Sequence, residues 1–276
     1  MLDQYAVMGN PIGHSKSPHI HRLFAEQTGQ QLTYRAILVD IGDFNAAVER
    51  FRATGGKGLN ITIPFKQEAY AYATDLSARA TRAGAVNTLQ FKADRCFGDN
   101  TDGAGLVRDL TDNHKLLLQG IRILLLGAGG AARGVLQPLL QKQPEQLVIA
   151  NRTKVKAIGL EDDFKDLGPV QGCGFDDIQN QSFDLIINAT AAGLNAEIPP
   201  LPETALKPNG FCYDMVYADQ ATAFVTWAFA HGARHAVDGR GMLIEQAAES
   251  FLLWRGIRPN TASLLQQFAT PAASLA

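Results

Sequence analysis

Cysteine is scarce, membrane-length apolar runs are missing, and neither sign of charge dominates. The three cysteines, Cys96, Cys173 and Cys212, are odd in number and far apart, with no CxxC pair. That argues against a disulfide framework or a structural zinc site and fits a reducing cytoplasm. The richest apolar stretch, Ile121–Leu126, falls far short of the ~18 residues of a membrane span, and it already contains Arg122. Lys plus Arg number 25 against 27 Asp plus Glu, a net charge of −2. Such a balance supplies no global field for gripping a polyanion, so no nucleic-acid or membrane partner is expected. Asp3 and Gln4 stand where a signal peptide has its basic region. His14, His19 and His21 crowd one stretch, yet no carboxylate or cysteine completes a ligand set, and no metal is expected. The composition describes a soluble cytoplasmic globular protein and does not give a function.

No internal repeat or low-complexity tract is present. The recurring unit is a short apolar run, a Gly- or Asn-rich turn, then helical periodicity. Strands are expected at Tyr5–Gly9, Tyr34–Val39 and Leu59–Ile63, with a hairpin from Val86–Phe91 and Cys96–Gly98. Ser17 suits the N-cap of a helix with Pro18 in its first turn, and Asp43 suits a second cap. A helix leads away over Thr101–Asn113. A second series then places strands at Ile121–Leu126, Leu147–Ala150, Asp184–Asn188 and Gly210–Asp214. The Pro-rich Ile198–Pro208 reads as a loop, and the chain leaves the series near His235–Arg240. Gly241–Trp254 and Thr261–Phe268 read as closing helices. Strands alternating with helices over 276 residues imply two α/β domains with parallel layers, divided near Thr101.

The second half carries a dinucleotide signal. Gly127, Gly129 and Ala132 fill the G-x-G-x-x-G/A positions directly after a predicted strand, with Ala128, Gly130 and Ala131 completing the turn. Glycine permits the tight turn and close backbone approach to a pyrophosphate, while the helix N-terminus supplies free N–H groups. After the next strand come Asn151, Arg152, Thr153 and Lys154, with no acid to bind a ribose 2′-hydroxyl. Arg152 can instead grip a 2′-phosphate, so NADP is favoured over NAD.

The first half carries four polar motifs at strand ends: GNPIGHSKSP from Gly9, N-x-T-x-P-x-K from Asn60, AGAVNT from Ala83 and GDNTDG from Gly98. Hydroxyls and amides with one Lys and one Asp suit a small polyhydroxylated substrate. Together with GAGGAARG, NRT and Gly239-Arg-Gly-Met-Leu-Ile-Glu-Gln246, in this order, they resemble shikimate dehydrogenase across nearly the whole chain. That family reduces 3-dehydroshikimate to shikimate with NADPH, on the route to chorismate and aromatic amino acids.

The resemblance implies a substrate-binding domain over residues 1–102, a Rossmann-type NADP domain over 103–237, and C-terminal helices over 238–276 that return to the substrate domain. It implies a catalytic pair, Lys66 and Asp102. Ser15 and Ser17 match hydroxyls that bind the substrate carboxylate. Thr62, Asn87 and Gln246 match further substrate contacts, Tyr217 follows in a segment whose Tyr holds substrate, and Asn60 is expected to fix the loop carrying Lys66. Thr190, Met215, Gly239 and Met242 match positions bordering the cofactor. Ala191 and Ala192 depart from the family pattern, standing where small hydroxyl residues are usual. The nearest rival is the quinate/shikimate branch, with relaxed substrate and cofactor use. A non-catalytic regulator on the same fold is disfavoured by the presence of Lys66 and Asp102.

Overall fold

The computed structural model describes residues 2–190 and 197–268, and Ala191 and Ala192 lie outside them. Two compact α/β units form. One takes the chain as far as Leu106 together with Leu243–Gln266; the other takes Val107–Met242 and, among the described residues, Gln267 and Phe268.

The first unit contains β1 (Asp3–Gly9), α1 (Ser17–Thr28), β2 (Leu32–Leu38), α2 (Phe44–Ala53), β3 (Gly56–Ile61), α3 (Lys66–Tyr72), β4 (Asp75–Leu76), α4 (Ala78–Ala83), β5 (Thr88–Lys92) and β6 (Arg95–Asp99). Its sheet runs β2-β1-β3-β5-β6-β4. β1 is parallel to β2 and β3, whereas β5 is antiparallel to both β3 and β6. Phe44, Val48 and Phe51 recur at helical spacing and bury one face of α2 with Met8, Leu59, Ile61 and Leu89 from the strands. The divide between the units falls within α5 (Asp102–Arg108), which runs on into a π-helical turn at Asp109–Asn113.

The second unit contains β7 (Arg122–Leu126), α6 (Gly130–Leu140), β8 (Gln146–Ala150), α7 (Lys154–Phe164), β9 (Val170–Cys173), β10 (Phe183–Asn188), β11 (Leu206–Asp214), α8 (Ala223–Ala230) and β12 (His235–Val237). The sheet order is β12-β11-β10-β7-β8-β9, every pair parallel. Counted within the unit, that is 3-2-1-4-5-6, the doubly wound dinucleotide order, and its switch point lies between β7 and β10. Ile123 to Leu126 are all fully buried, because helices cover both faces of a parallel sheet. The expected two α/β domains, the second of Rossmann type, are present. The chain closes with α9 (Arg240–Arg255), whose residues from Leu243 onward belong to the first unit, and α10 (Ala262–Phe268).

Several local expectations need correction. Ser17 is the first helical residue rather than the N-cap, a position held by Lys16 without a side-chain cap. Asp43 does hold the N-cap position of α2, but its carboxylate turns to Arg50 instead of the helix amides. The Pro-rich loop gives way early, since β11 starts at Leu206. A register shift between the Phe183–Leu206 and Leu185–Phe211 pairs accommodates Pro208, which has no N–H for a ladder. The chain also stays in the sheet at His235–Val237, where β12 pairs with β11. β4 and β9 are too short, or too poor in alternating apolar residues, to stand out in sequence.

Trp254 of α9 fastens that helix to the first sheet. Its indole donates to the Leu89 carbonyl at 3.0 Å and its ring stacks on Tyr5 at 4.7 Å. Gly58 makes this possible, because a Cβ there would lie 2.5 Å from the indole nitrogen and 2.8 Å from the Leu89 oxygen. Gly58→Ala is therefore expected to lower stability by about 1–3 kcal/mol, as overpacking does. Urea denaturation measures it, and an unshifted midpoint would mean that Trp254 can give way freely.

Candidate active site

The first unit gathers a polar cluster where β3 and β6 end and β5 begins. Lys66 opens α3 and Asp102 opens α5. The Lys66 ammonium donates to Asp102 Oδ2 at 2.6 Å, with Asp102 almost buried and Lys66 one-fifth exposed. Backbone bonds set both starting points: Val86 N–H donates to the Lys66 carbonyl at 2.9 Å, and Asp102 N–H to Asn100 Oδ1 at 3.1 Å. Asn87 binds the other side of the pair. Its Nδ2 donates to Asp102 Oδ1 and to Thr101 Oγ1, both at 2.9 Å, and its Oδ1 accepts from Thr101 N–H at 2.9 Å. Buried polar groups need hydrogen-bond partners, and the ammonium and the amide supply one to each carboxylate oxygen.

Asp99, one turn earlier, anchors the loop. Burial opposes its ionisation, but the Arg79 guanidinium, contacting both carboxylate oxygens, outweighs burial and holds the carboxyl below its ordinary value. Two glycines set distances nearby. A Cβ on Gly9 would sit 2.4 Å from Thr62 Cγ2, and one on Gly105 would sit 2.7 Å from the backbone nitrogen of Gln246. Gln246 thereby reaches Asn87 Nδ2 and Thr101 Oγ1 with its Oε1, each at 3.4 Å.

In the second unit, the turn after β7 has the geometry of a phosphate cradle. Gly127 takes φ +103°, and a Cβ there would crowd the Ala189 carbonyl and Thr190 at 3.2 Å. The N-cap of α6 is Gly129, with no side-chain cap, and a Cβ at Gly129 or Gly130 would meet nothing within 4 Å. The first N–H groups of α6 are thus available to an anion, with open space before them. Arg152 is exposed after β8 and makes no ion pair with any described residue, while Lys154 pairs with Asp177 at 2.9 Å. Asn151 Nδ2 closes the turn onto the Thr153 carbonyl at 2.9 Å. This donor set fits a dinucleotide carrying a 2′-phosphate, with Arg152 unpaired among the described residues and Lys154 engaged by Asp177. Thr190 Oγ1 donates to Asn188 Oδ1 at 2.7 Å, and Asn188 Nδ2 to Asp214 Oδ1 at 3.1 Å, tying the ends of β10 and β11 together. Burial pushes the Asp214 carboxyl up, against its bonds to Thr222, Val216 and Asn188.

Comparison with known proteins agrees with this division. Residues 7–89 match the shikimate dehydrogenase substrate binding domain, 110–196 the shikimate / quinate 5-dehydrogenase family, and 239–267 the shikimate 5′-dehydrogenase C-terminal domain. A shikimate dehydrogenase (NADP(+)) of Alkalilimnicola ehrlichii is 59% identical over 96% of this chain and 98% of its own length. The chain belongs to the shikimate dehydrogenase family. An Ael1 enzyme from Pseudomonas putida superimposes with a TM-score of 0.90 at 46% identity, covering 98% of this chain and 99% of that one. The Thermus thermophilus shikimate 5-dehydrogenase, solved in complex with NADP(H) and shikimate, gives 0.85 at 31% identity, covering 96% and 98%.

Within this family frame, the fold brings Lys66, Asp102, Asn87, Thr62 and Gln246 to one region of the first unit. Ser15 and Ser17 sit at the start of α1, where Ser17 N–H donates to Ser15 Oγ at 3.3 Å. Tyr217, Met215, Gly239 and Met242 belong to the second unit. Asn60 departs from its expected role. Instead of fixing the Lys66 loop, it accepts from Tyr34 Oη at 2.7 Å and donates to Ser250 Oγ at 2.9 Å and Thr88 Oγ1 at 3.1 Å. Sequence reading missed Thr88, Thr101 and Ser250, which carry this buried polar spine toward Asn87. One signal was available: Ser250 lies four residues after Gln246, on the same face of α9.

His21 lies at the far end of that spine. It is buried and stacks on Tyr34, centroids 4.2 Å apart, with Phe24, Phe251 and Trp254 around it. Burial drives its pKa down to about 3. Between that value and the ordinary one near 6.5, the unfolded chain takes up a proton that the folded chain refuses. Stability from neutral His21 is whole above about pH 6.5 and drains away as the pH falls toward about 3. His21→Phe is expected to abolish about 2–3 kcal/mol of the stability lost between about pH 7 and about pH 4.5. Urea unfolding at both values tests it, and equal losses in the two proteins would refute it.

Proposed function

We propose that the protein is an NADP-dependent shikimate dehydrogenase, catalysing the reversible reduction of 3-dehydroshikimate to shikimate. The observation that carries this reading is the Lys66–Asp102 pair held by Asn87, in a chain of this family whose second unit offers Arg152 to a 2′-phosphate. Membership brings the substrate class; the residues bring the chemistry. The same proposal places the protein in the cytoplasm, as a monomer or homodimer, in keeping with three free, buried cysteines.

NADPH would rest its pyrophosphate on the N–H groups of Gly129, Gly130 and Ala131, with Gly127 and Ala128 forming the turn and Asn151, Arg152 and Thr153 around the 2′-phosphate. Thr190, Met215, Gly239 and Met242 would border the nicotinamide end. Bound there, the cofactor supplies a hydride to the carbonyl carbon. Lys66 then answers the negative charge growing on the carbonyl oxygen: its ammonium stabilises that charge and gives up a proton to form the hydroxyl. Asp102 holds Lys66 in line and offsets its charge. In the reverse direction the Lys66 amine receives the proton back. Asn87 has both its amide hydrogens committed to Thr101 and Asp102, so its contribution is the orientation of Asp102 more than a direct grip on substrate. Ser15 and Ser17 would bind the substrate carboxylate through neutral hydroxyls, with Thr62, Gln246 and Tyr217 contacting the rest.

Reduction of NADP by the purified protein with shikimate tests the activity, and quinate and NAD in parallel measure its selectivity; absence of turnover with shikimate would overturn the reading. Lys66→Ala is expected to lower kcat by ~10²–10⁴ with NADP affinity retained, and a near-normal kcat would remove Lys66 from the mechanism. Arg152→Ala is expected to raise KM for NADPH by about 10–100-fold and KM for NADH very little. Equal effects on both cofactors would make Arg152 a bystander.

A further inference from the structure

A buried couple in the second unit is left unused by this mechanism. Tyr213, the next-to-last residue of β11, is fully buried, and so is Asp109, at the start of the π-helical turn. Tyr213 Oη donates to Asp109 Oδ2 at 2.6 Å. Tyr213 Oη also accepts the backbone N–H of Met242 at 3.1 Å. Met242 is the third residue of α9, where a backbone N–H has no partner inside its own helix. Side-chain caps from the adjoining loop usually fill that place; here a phenol from the sheet interior fills it.

The surroundings are built to the same end. The π-helical turn closes with His114 N–H on the Asp109 carbonyl at 3.0 Å, and brings Asn113 Nδ2 within 2.8 Å of Asp109 Oδ1. The carboxylate is thereby pinned on one oxygen while the other takes the phenol proton. Because Tyr213 gives its hydrogen to Asp109, a lone pair is left to face Met242. Gly241 must be glycine for this: a Cβ would lie 2.1 Å from Asp109 Oδ2. Gly239 lies equally close to the neighbouring strand end, where a Cβ would meet the Met215 carbonyl oxygen at 2.4 Å, and its N–H donates to Val216 O at 3.1 Å. Three cofactor-bordering residues, Met215, Gly239 and Met242, therefore hang on one short stretch of backbone set against β11.

We propose that Tyr213 and Asp109 are positioning residues for the nicotinamide end of the cofactor, acting through the Met242 amide and the first turn of α9. The inference rests on the cofactor site proposed above and deepens it. Neither residue touches the cofactor. Tyr213 fixes where Met242 stands, and Asp109 fixes which way the phenol points.

Two ligands separate this role from a general brace: NADP⁺, and 2′-phospho-ADP-ribose, which lacks only the nicotinamide. Tyr213→Phe removes the acceptor for Met242 and is expected to weaken NADP⁺ binding roughly 10-fold, the effect of losing a buried hydrogen bond. Affinity for 2′-phospho-ADP-ribose and KM for shikimate should stay unchanged. Asp109→Asn, which keeps an oxygen for the phenol, should shift NADP⁺ in the same direction by less, and it carries the test if Tyr213→Phe does not fold by circular dichroism. Equal losses for both ligands, or no loss for either, would overturn the proposal and leave the cofactor site standing. Failure of the unsubstituted protein to bind NADP⁺ would instead bring down the cofactor site itself.

Discussion

The side-chain amide of Asn87 is the joint on which the first unit's polar centre depends. One amide group meets Asp102, Thr101 and Gln246 within 3.4 Å, so the strand end at β5, the start of α5 and the face of α9 share a single reference point. Burying a carboxylate is costly unless it is paired and hydrogen-bonded. Here the cost is met by Lys66 on one oxygen and Asn87 on the other. Between them the two partners hold both carboxylate oxygens of Asp102 in one place.

That constraint propagates outward. Gln246 approaches Asn87 only because Gly105 lets the α9 backbone come close, and α9 stays on the sheet because Gly58 admits Trp254. Ser250, one turn beyond Gln246, passes the polar network to Asn60, Thr88 and Tyr34. The far end of this spine is an aromatic cage around neutral His21. A helix that closes the chain thus completes a site begun by strands near its start. The second unit uses a similar device on a smaller scale, with Asn188, Asp214 and Thr190 joining strand ends beside the glycine turn.

Much of this was legible before any coordinate. The strand–turn–helix at Gly127, the cation at Arg152 where an acid would select NAD, and the Lys66 and Asp102 motifs all declare themselves locally, because each depends on residue type at short spacing. The parts that stayed hidden depend on residues remote in sequence. Asn60 looked like a loop anchor and proved to be a cross-strand post, since its partners lie 26 to 190 positions away. Lys154 stands in the same turn as Arg152, and its pairing with Asp177, a residue 23 positions later, could not be read locally. β12 stayed unseen because three half-exposed residues give no alternating pattern, and only the free edge of β11 makes them a strand.

By itself the sequence determined the fold class, the family and the chemical types present: a lysine and an aspartate in polar turns, hydroxyls and amides around them, and a glycine turn after a strand. These follow from periodicity and motif, which a linear chain displays. Only the tertiary structure decided which polar groups are committed to one another and which remain free for a ligand. Among the described residues Arg152 has no ion-pair partner and Lys154 has one; the Asn87 amide is saturated; Tyr213 lends its phenol to Met242. Hydrogen-bonding capacity is a finite inventory per atom, and its allocation is settled by which distant segments packing brings within 3.5 Å.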